Sequence, residues 1–275
     1  MEIKAADVKA LRDVTGAGMM ECKHALVECN GDAEAAAKLL KEKGLAAVEK
    51  RADRSTSEGR IFIKMNDSKA AIVELTCETD FVAKNADFLA VGESIVNEVL
   101  AKGYTDVNDA LSNMLLDLAT KIRENMKIRR LQLVDIPSGA FASSYIHSDG
   151  KTGVITVFSC EPEANDAVKQ FAYDCCLHVA AFAPPFIKRE DVSEAYMAEQ
   201  KEIFTAQTAD LNKPDNVKAG IVQGKLSKHL AEICFMDQMF VKDDKVSVAK
   251  KLEQTAKENN VQLKLLTVVN FQLGA

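Results

Sequence analysis

The sequence predicts an α+β protein with a three-helix N-terminal module, a core of two similar hairpin-plus-helix subdomains, and an inserted antiparallel helical hairpin of coiled-coil type. Residues 1–48 carry only helical periodicity, alternating strands followed by a helix occur twice, and a polar stretch with a narrow apolar stripe interrupts the second copy. The predicted module spans 1–48 and the linker 49–59. The first subdomain spans 60–140, the second spans 141–186 and 231–275, and the hairpin spans 187–230.

Three short helices account for the N-terminal module. The Gly16-Ala17-Gly18 break separates the first two, Asn30-Gly31 ends the second, Asp32 can cap the third, and Gly44 is placed to stop it. No strand precedes the glycine pair and no Gly-Lys-Ser/Thr follows it, which excludes a phosphate-binding loop. The linker is polar and mixed in charge, so we expect the module to move relative to the core.

The first subdomain opens with a predicted β-hairpin. Its second strand, Ala70 to Cys77, alternates so that Glu74 and Thr76 face away from an apolar side, which predicts one buried face. A strand-to-helix turn follows, in which Phe81 comes directly after Asp80. Such a Phe is either the first core residue of the next helix or an apolar side chain exposed to a partner.

An internal repeat bears on these two alternatives. Residues Ile63–Asp67 resemble Ile146–Gly150 at an offset of 83 (146 minus 63), and the strand cysteines align at the same offset without a gap. This offset places Asp80-Phe81 opposite Glu163-Ala164, so only one copy carries the aromatic residue. Because the fold does not require a Phe there, the repeat favours an exposed Phe81 that binds a partner.

The second subdomain continues with a helix from Asp166 to about Phe182, which Pro184-Pro185 stops. Two polar helices joined by the turn Lys213–Asn216 then form the helical hairpin, and a projecting arm of this kind is typical of an interaction surface. A helix from Ser247 to Glu258 and a strand from Val261 to Phe271 complete the subdomain.

Composition limits the function classes. Lys and Arg total 35 against 41 Asp and Glu, a net charge of −6, which argues against a general nucleic-acid binder. The seven cysteines are scattered without a Cys-x-x-Cys pair, as expected in a reducing cytoplasm. No charged leader with an apolar run opens the sequence, and no apolar run approaches the ~20 residues of a membrane span. We therefore expect a soluble cytoplasmic protein without membrane contact.

The sequence predicts no enzyme active site, metal site or cofactor site. The four histidines lie far apart and show no zinc-ligand spacing. Cys175 and Cys176 adjoin His178, but all three lie on an apolar helix, where buried inert thiols are expected. A thiol-dependent enzyme around Cys175 is one alternative function. Another is an RNA-associated adaptor that uses the Arg129-Arg130 and Lys50-Arg51 clusters.

Three motifs occur in order, TGAGMMECK at Thr15–Lys23, CETDFVAKN at Cys77–Asn85, and Tyr145-Ile146-His147. Together they resemble the bacterial translation elongation factor Ts family, the nucleotide exchange factors of elongation factor Tu, over nearly the whole chain. The resemblance implies a ubiquitin-associated-like N-terminal module that docks on the nucleotide-binding domain of Tu, and a helical hairpin that supports dimerisation. Some family members carry a further C-terminal helical module, which we do not expect here.

The resemblance also implies the contact residues. In the family, the Asp-Phe pair of the turn is pushed into the GTPase. Glu21, His24 and Arg123 depart from the family pattern, which usually has Asp, Lys and Gly there. The partner-binding residues implied by the resemblance are Met19, Met20, Lys23, Thr79, Asp80, Phe81, Val82, Ile122, Arg123 and His147.

The function implied by the resemblance is guanine-nucleotide exchange on elongation factor Tu, which would be bound in its GDP-bound and nucleotide-free states. Phe81 would enter between helices of the GTPase and disturb its Mg²⁺ site. The hairpin would support a homodimer or a 2:2 complex. We expect no cofactor, no direct nucleic-acid contact and no enzymatic activity of the protein itself.

Overall fold

The computed structural model describes residues 3–275, which form two compact units. The first unit comprises the described residues up to Val134 together with Ser148–Thr152 and Phe271–Ala275. The second comprises Asp135–His147 and Gly153–Asn270. Each unit combines helices with a small sheet, which confirms the α+β class.

Three helices open the first unit. Gly16 ends the first in the left-handed conformation, with φ of 67°, and the Asp32 carboxylate caps the third by accepting the amides of Glu34 and Ala35. A small cluster of buried side chains around Leu26 joins the three. The helices are α1 (Ala5–Thr15), α2 (Met19–Glu28) and α3 (Ala33–Glu49).

Three strands and three helices make up most of the remaining first unit, namely β1 (Glu58–Met65), β2 (Lys69–Cys77), α4 (Asp80–Ala83), α5 (Ala86–Lys102), α6 (Asp109–Ile122) and β3 (Met126–Asp135). The strands form one sheet in the order β1-β2-β3, and β1 and β2 are antiparallel. Phe62 and Leu75 of the strands belong to one apolar cluster with Phe88 and Leu115 of the helices, which joins the sheet to α5 and α6.

The prediction that Gly44 stops the third helix is wrong, because α3 continues through it to Glu49. A Cβ at Gly44 would lie 2.3 Å from Cγ2 of Thr120 on α6, a distance at which atoms collide. Glycine inside a helix costs only about 1 kcal/mol relative to alanine, and here it allows α3 to approach α6 closely. Sequence position does not distinguish a helix-ending glycine from one that packing requires.

The prediction that β2 has one buried face is also wrong, because Glu74 and Thr76 are buried along with its apolar residues. The Glu74 carboxylate accepts hydrogen bonds from Arg129 Nη1 at 3.1 Å, from Arg130 Nε at 2.6 Å and from the Gly274 amide at 2.9 Å. A carboxylate can be buried when it has such partners, and an unpaired one cannot. Alternation along one strand carries no information about partners on other strands.

The two arginines also hold the segment Phe271–Ala275. The Arg130 guanidinium lies over the Phe271 ring, 4.2 Å from its centroid, and donates to the Gln272 carbonyl at 2.8 Å. Arg129 donates to the Ala275 carbonyl at 2.5 Å. One buried carboxylate therefore organises β2, β3 and this segment.

The second unit contains five strands and four helices, namely β4 (Ala140–Ile146), β5 (Thr152–Glu161), α7 (Asp166–Phe182), α8 (Glu194–Thr208), α9 (Asp215–Ile233), β6 (Met239–Phe240), β7 (Asp243–Ser247), α10 (Val248–Glu258) and β8 (Gln262–Gln272). One sheet has the order β4-β5-β8, and β6 and β7 form a second. Phe158, Cys175 and Phe240 lie in the apolar cluster that joins these sheets to α7.

Helices α8 and α9 pack side by side. The Tyr196 hydroxyl near the start of α8 lies 2.9 Å from Nε2 of His229 near the end of α9. Lys218 donates to the Ala209 carbonyl at 2.6 Å, where the chain turns between the helices. The two helices are therefore antiparallel and form a hairpin.

The Glu74→Gln variant should lower the free energy of unfolding by about 3 kcal/mol, because it leaves two arginines without their buried counter-charge. Urea unfolding measures this change. Glu93→Gln is the matched control, since Glu93 is exposed on α5 and its loss should cost at most about 0.5 kcal/mol. Equal stabilities of the two variants would contradict the role assigned to Glu74.

Candidate functional site

The internal repeat is visible in the second strands of the two hairpins. At the end of each strand a thiol donates to the carbonyl two residues on, from Cys77 to Thr79 at 3.2 Å and from Cys160 to Pro162 at 3.1 Å. The predicted offset of 83 (160 minus 77) is therefore correct for β2 and β5.

The same offset is wrong for the first strands of the hairpins. Leu75 pairs with Arg60, whereas Phe158, which is 83 residues after Leu75, pairs with Phe141. The offset between β1 and β4 is thus 81 (141 minus 60), because the turn of the second hairpin is longer by two residues. Turn lengths shift freely between repeats while the strand pairing keeps its inward and outward faces.

The two copies also differ between strand and helix, where the candidate site lies. Asn85 caps α5 and Asn165 caps α7, each through its side-chain oxygen, at an offset of 80 (165 minus 85). The first copy therefore has three more residues here (83 minus 80), and α4 occupies the additional length. The predicted equivalence of Asp80-Phe81 with Glu163-Ala164 is wrong, because the Asp-Phe pair lies in this additional turn.

Helix α4 is a single turn with one buried side and one exposed side. Val82 and Ala83 are buried, whereas Phe81 is 82% exposed, so exposure is the correct alternative for Phe81. The Thr79 hydroxyl caps the turn by accepting the Val82 amide at 3.4 Å. Asp80 pairs with Lys84 at 2.7 Å, and this hydrogen bond lowers the pKa of the Asp80 carboxyl from its ordinary value.

A glutamate that the sequence analysis missed holds the strand end of the turn. The Glu124 carboxylate accepts the amides of Glu78 and Thr79, each at 3.1 Å, and the Thr79 hydroxyl at 2.7 Å. Glu124 directly follows Arg123, a predicted contact residue, and this proximity in sequence was the signal that could have revealed it. The next residue, Asn125, donates its amide to the Glu78 carboxylate at 2.6 Å.

Arg123 has the left-handed backbone conformation, with φ of 68°, and ends α6. This conformation costs roughly 1 kcal/mol in a residue with a side chain, which explains why glycine suits the position. Its guanidinium forms an ion pair with Glu21, whose carboxylate also accepts the Gly18 amide at 2.9 Å. The Gly18 bond, with the Arg123 charge, keeps the pKa of Glu21 below its ordinary value. Two of the departures from the family pattern thus contact each other.

Further contacts hold the linker against α6 and the segment that follows it. Asn125 Nδ2 donates to the carbonyls of Ala52 and Arg54 in the predicted linker, at 3.1 and 2.7 Å. Arg51 donates to the Ala119 carbonyl at 3.4 Å. The predicted movement of the module would require the linker contacts, the Glu21–Arg123 ion pair and the close approach of α3 to α6 at Gly44 to break.

The module exposes an apolar stripe on α2. Met20 is 59% exposed and Val27 is 58% exposed, and Lys23 lies exposed between them at helical spacing. Met19 is also exposed, at the start of the helix. Sequence reasoning named the two methionines and Lys23 but missed Val27, because a valine on an amphipathic helix is ordinarily assigned to the core.

The remaining predicted residues differ in exposure. Ile122 is half-buried beside the α6 end and packs against the apolar cluster of the first unit. His147, in the second unit, is exposed, and its Nδ1 lies 3.0 Å from the Tyr145 hydroxyl.

The structure argues against thiol chemistry at Cys175. Cys175 is fully buried, and burial raises the pKa of its thiol well above the ordinary value, so a nucleophilic thiolate is disfavoured. His178 is fully buried as well, and burial lowers its pKa. Its Nδ1 accepts the Val241 amide at 3.1 Å and its Nε2 lies 2.8 Å from Gln238 Oε1, so both ring nitrogens already have partners.

Three of the four basic residues of the RNA alternative have partners within the protein. Arg129 and Arg130 both bind Glu74, and Arg51 contacts the Ala119 carbonyl. Among residues 3–275 there is no group of three or more side chains placed to hold a metal ion. No helix in that range is both long and apolar enough to cross a membrane.

Comparison with known proteins identifies the family. The family model described as Elongation factor TS matches residues 78–275. Elongation factor Ts of Treponema denticola is 61% identical over 277 residues, with 100% of this chain and 99% of the relative covered. The chain belongs to the elongation factor Ts family. The Treponema pallidum and Borrelia recurrentis members are 52% and 39% identical, with at least 98% of each chain covered.

The matched regions include every predicted contact residue. The elongation factor Ts family model begins at Glu78, directly before the Thr79 turn, and extends past His147. The alignments with whole relatives also cover the three-helix module that carries Met20 and Lys23. The similarity to the family therefore includes both the exposed stripe on α2 and the α4 turn that carries Phe81.

The variant Arg123→Gly should be more stable than Arg123→Ala by about 1 kcal/mol. Both variants lack the ion pair with Glu21, and only the alanine retains the cost of the left-handed backbone. Urea unfolding of the two proteins under identical conditions measures the difference. A more stable alanine variant would contradict the conformation of residue 123.

Iodoacetamide near neutral pH should label Cys29 first, because it is the one partly exposed thiol among the seven. Cys77 and Cys176 should resist, since burial raises the pKa of their thiols to about 12 and about 11. Mass spectrometry of the peptides measures the labelling, with urea-unfolded protein as the control in which every cysteine reacts. Rapid native labelling of Cys176 or Cys175 would restore the thiol-enzyme alternative.

Proposed function

We propose that this protein is a guanine-nucleotide exchange factor that binds elongation factor Tu·GDP and promotes GDP release during translation elongation. The observation that carries the proposal is the exposed Phe81 on an additional turn, in a chain of the elongation factor Ts family. Its neighbours Val82 and Ala83 are buried, so the turn is anchored while its aromatic side chain remains available to a partner.

Exchange requires a difference in affinity. A factor that releases GDP must bind the nucleotide-free GTPase more tightly than the GDP-bound form, because the coupling between two ligands is reciprocal. Each ~1.4 kcal/mol of this difference weakens GDP binding tenfold. Burying the Phe81 side chain between helices of the GTPase can supply about 1.5 to 3 kcal/mol of it.

The wedge acts on the nucleotide indirectly. Displaced GTPase helices would move the ligands of Mg²⁺, which tolerates little departure from octahedral geometry, and the phosphates would lose their main counter-charge. Asp80 already pairs with Lys84, which suits a role in orienting the turn or contacting the partner protein. Neither Asp80 nor Phe81 has to touch the nucleotide, and this protein needs no cofactor or catalytic group of its own.

The other proposed contacts distribute binding over a wider surface. Met19, Met20 and Lys23 form an exposed docking surface on α2 for the nucleotide-binding domain of Tu. The half-buried Ile122, exposed Arg123 and exposed His147 add contacts to Tu, together with Thr79 of the turn. Val82, which the resemblance implied as a contact residue, is buried in the core of the first unit and supports the turn from inside instead. The α8–α9 hairpin would support a homodimer or a 2:2 complex. We place the protein in the cytoplasm, where translation occurs and where its seven free thiols remain reduced.

Stopped-flow release of a fluorescent GDP analogue from elongation factor Tu of the same source tests the proposal. The wild-type protein should accelerate release. Phe81→Ala should lower the maximal rate by about 10-fold to 100-fold, the kinetic equivalent of the burial energy. Its stability should not change, because the side chain is exposed.

Phe182→Ala is the matched control, since it removes another exposed phenylalanine. If the wild-type protein gave no acceleration, the exchange function would be wrong. If Phe81→Ala and Phe182→Ala were both as fast as wild type, the function would stand and the wedge would be wrong. A response that weakened steeply with salt would instead favour binding through charges, as in the RNA alternative.

A further inference from the structure

We propose that Glu124 and Arg60 are positioning residues that hold the two ends of the α4 turn and thereby fix the direction of Phe81. This inference rests on the proposed exchange function and deepens it. Neither residue carries an exposed apolar group for the partner, and both are partly buried. They would act on exchange only through the turn.

Glu124 holds the strand end of the turn. Its two carboxylate oxygens accept the amides of Glu78 and Thr79 and the Thr79 hydroxyl. Hydrogen bonds to an ionised acceptor are roughly twice as strong as neutral ones. The Thr79 hydroxyl in turn accepts the Val82 amide, so the carboxylate is linked to the residue directly after Phe81.

Arg60 holds the helix end of the turn. Its Nε donates to the Ala83 carbonyl at 2.9 Å, which satisfies an acceptor at the end of α4. The guanidinium packs against Gly150, where a Cβ would lie 2.6 Å from Arg60 Nη1. The Gly150 carbonyl accepts the Ile61 amide at 2.8 Å, which keeps the glycine beside Arg60. The Arg60 guanidinium therefore lies between the Ala83 carbonyl on one side and Gly150 on the other.

The second copy of the repeat supports a specific link between Arg60 and the turn. Strand register places Phe141 at the position that corresponds to Arg60. Phe141 stacks on Phe158, with ring centroids 6.0 Å apart, and packs against the apolar cluster of the second unit. The copy without the additional turn thus has no arginine at this position, so the hairpin itself does not require one.

A short turn needs such restraints if its aromatic side chain is to act as a wedge. One helical turn is not stable in isolation, because the first turn fixes several residues for a single hydrogen bond. If the turn fluctuated, ordering it on binding would consume part of the free energy that Phe81 supplies. Contacts at both ends remove that cost in advance.

The test is a double-mutant cycle on the maximal rate of GDP-analogue release, using Glu124→Gln and Phe81→Ala in the full-length protein. We expect Glu124→Gln to lower the maximal rate about tenfold, the effect of losing roughly one charge-assisted hydrogen bond. The concentration of factor that gives half-maximal rate should change less than about twofold. In the Phe81→Ala background, Glu124→Gln should have no further effect, because it acts through Phe81.

Independent effects in the cycle, with the tenfold loss also present without Phe81, would overturn the inference. Arg60→Met tests the helix end of the turn without altering Glu124. Glu93→Gln is the matched control for removal of a glutamate charge, and thermal unfolding of each variant verifies folding.

Hydrogen exchange of the free protein separates this inference from the proposed function. The amides of residues 78–83 should exchange faster in Glu124→Gln and in Arg60→Met than in the wild type. If the wild type failed to accelerate GDP release, the proposed function would fail. If amide hydrogen exchange were unchanged in both variants, these residues would be shown not to hold the turn, whatever the result for GDP release. If the amide hydrogens exchanged faster in Glu124→Gln while this variant kept the full rate of GDP release, only the positioning inference would fail.

Discussion

Three consecutive residues after α6 hold the contact elements of the first unit in one frame. Arg123 pairs with Glu21 of the three-helix module, Glu124 binds the backbone that precedes α4, and Asn125 bonds to the linker between module and sheet. The proposed docking helix and the proposed wedge therefore depend on the same short segment. A shift of this segment would move α2 and the α4 turn together, because the side chains that contact them belong to adjacent residues.

The α4 turn exposes the aromatic side chain of Phe81 to solvent and is held in place by buried residues on its other side. An aromatic side chain that is 82% exposed gains nothing in the free protein, and its burial energy becomes available only when a partner covers it. A left-handed Arg123 also carries a backbone cost. Buried residues on the other side of the turn, Val82 and Ala83, offset these costs and keep the geometry fixed. Preorganisation of this kind increases the share of burial energy that reaches the partner.

One buried carboxylate, Glu74, sets the surroundings of two arginines in this protein. The buried Glu74 on the central strand β2 pairs with Arg129 and Arg130 of β3, so both arginines already have a counter-charge within the protein. Cys175 is similarly removed from chemistry by burial. In both cases the chemistry available to the side chain depends on its neighbours in the folded protein. Proximity in sequence does not identify those neighbours.

The sequence by itself determined the types of the longer elements, most of their helix ends and the likeness of the second strands of the two hairpins. Capping residues and hydrophobic periodicity act locally, so Asp32, Asn85 and Asn165 begin helices in the structure as their chemistry requires. Only the tertiary structure decided that Glu74 is buried, that Gly44 lies inside a helix, and that Glu124 and Arg60 hold the turn of Phe81. These features join positions far apart in the chain, and the physical reason is that burial and hydrogen-bond partnership are properties of packed neighbours, which local patterns do not specify.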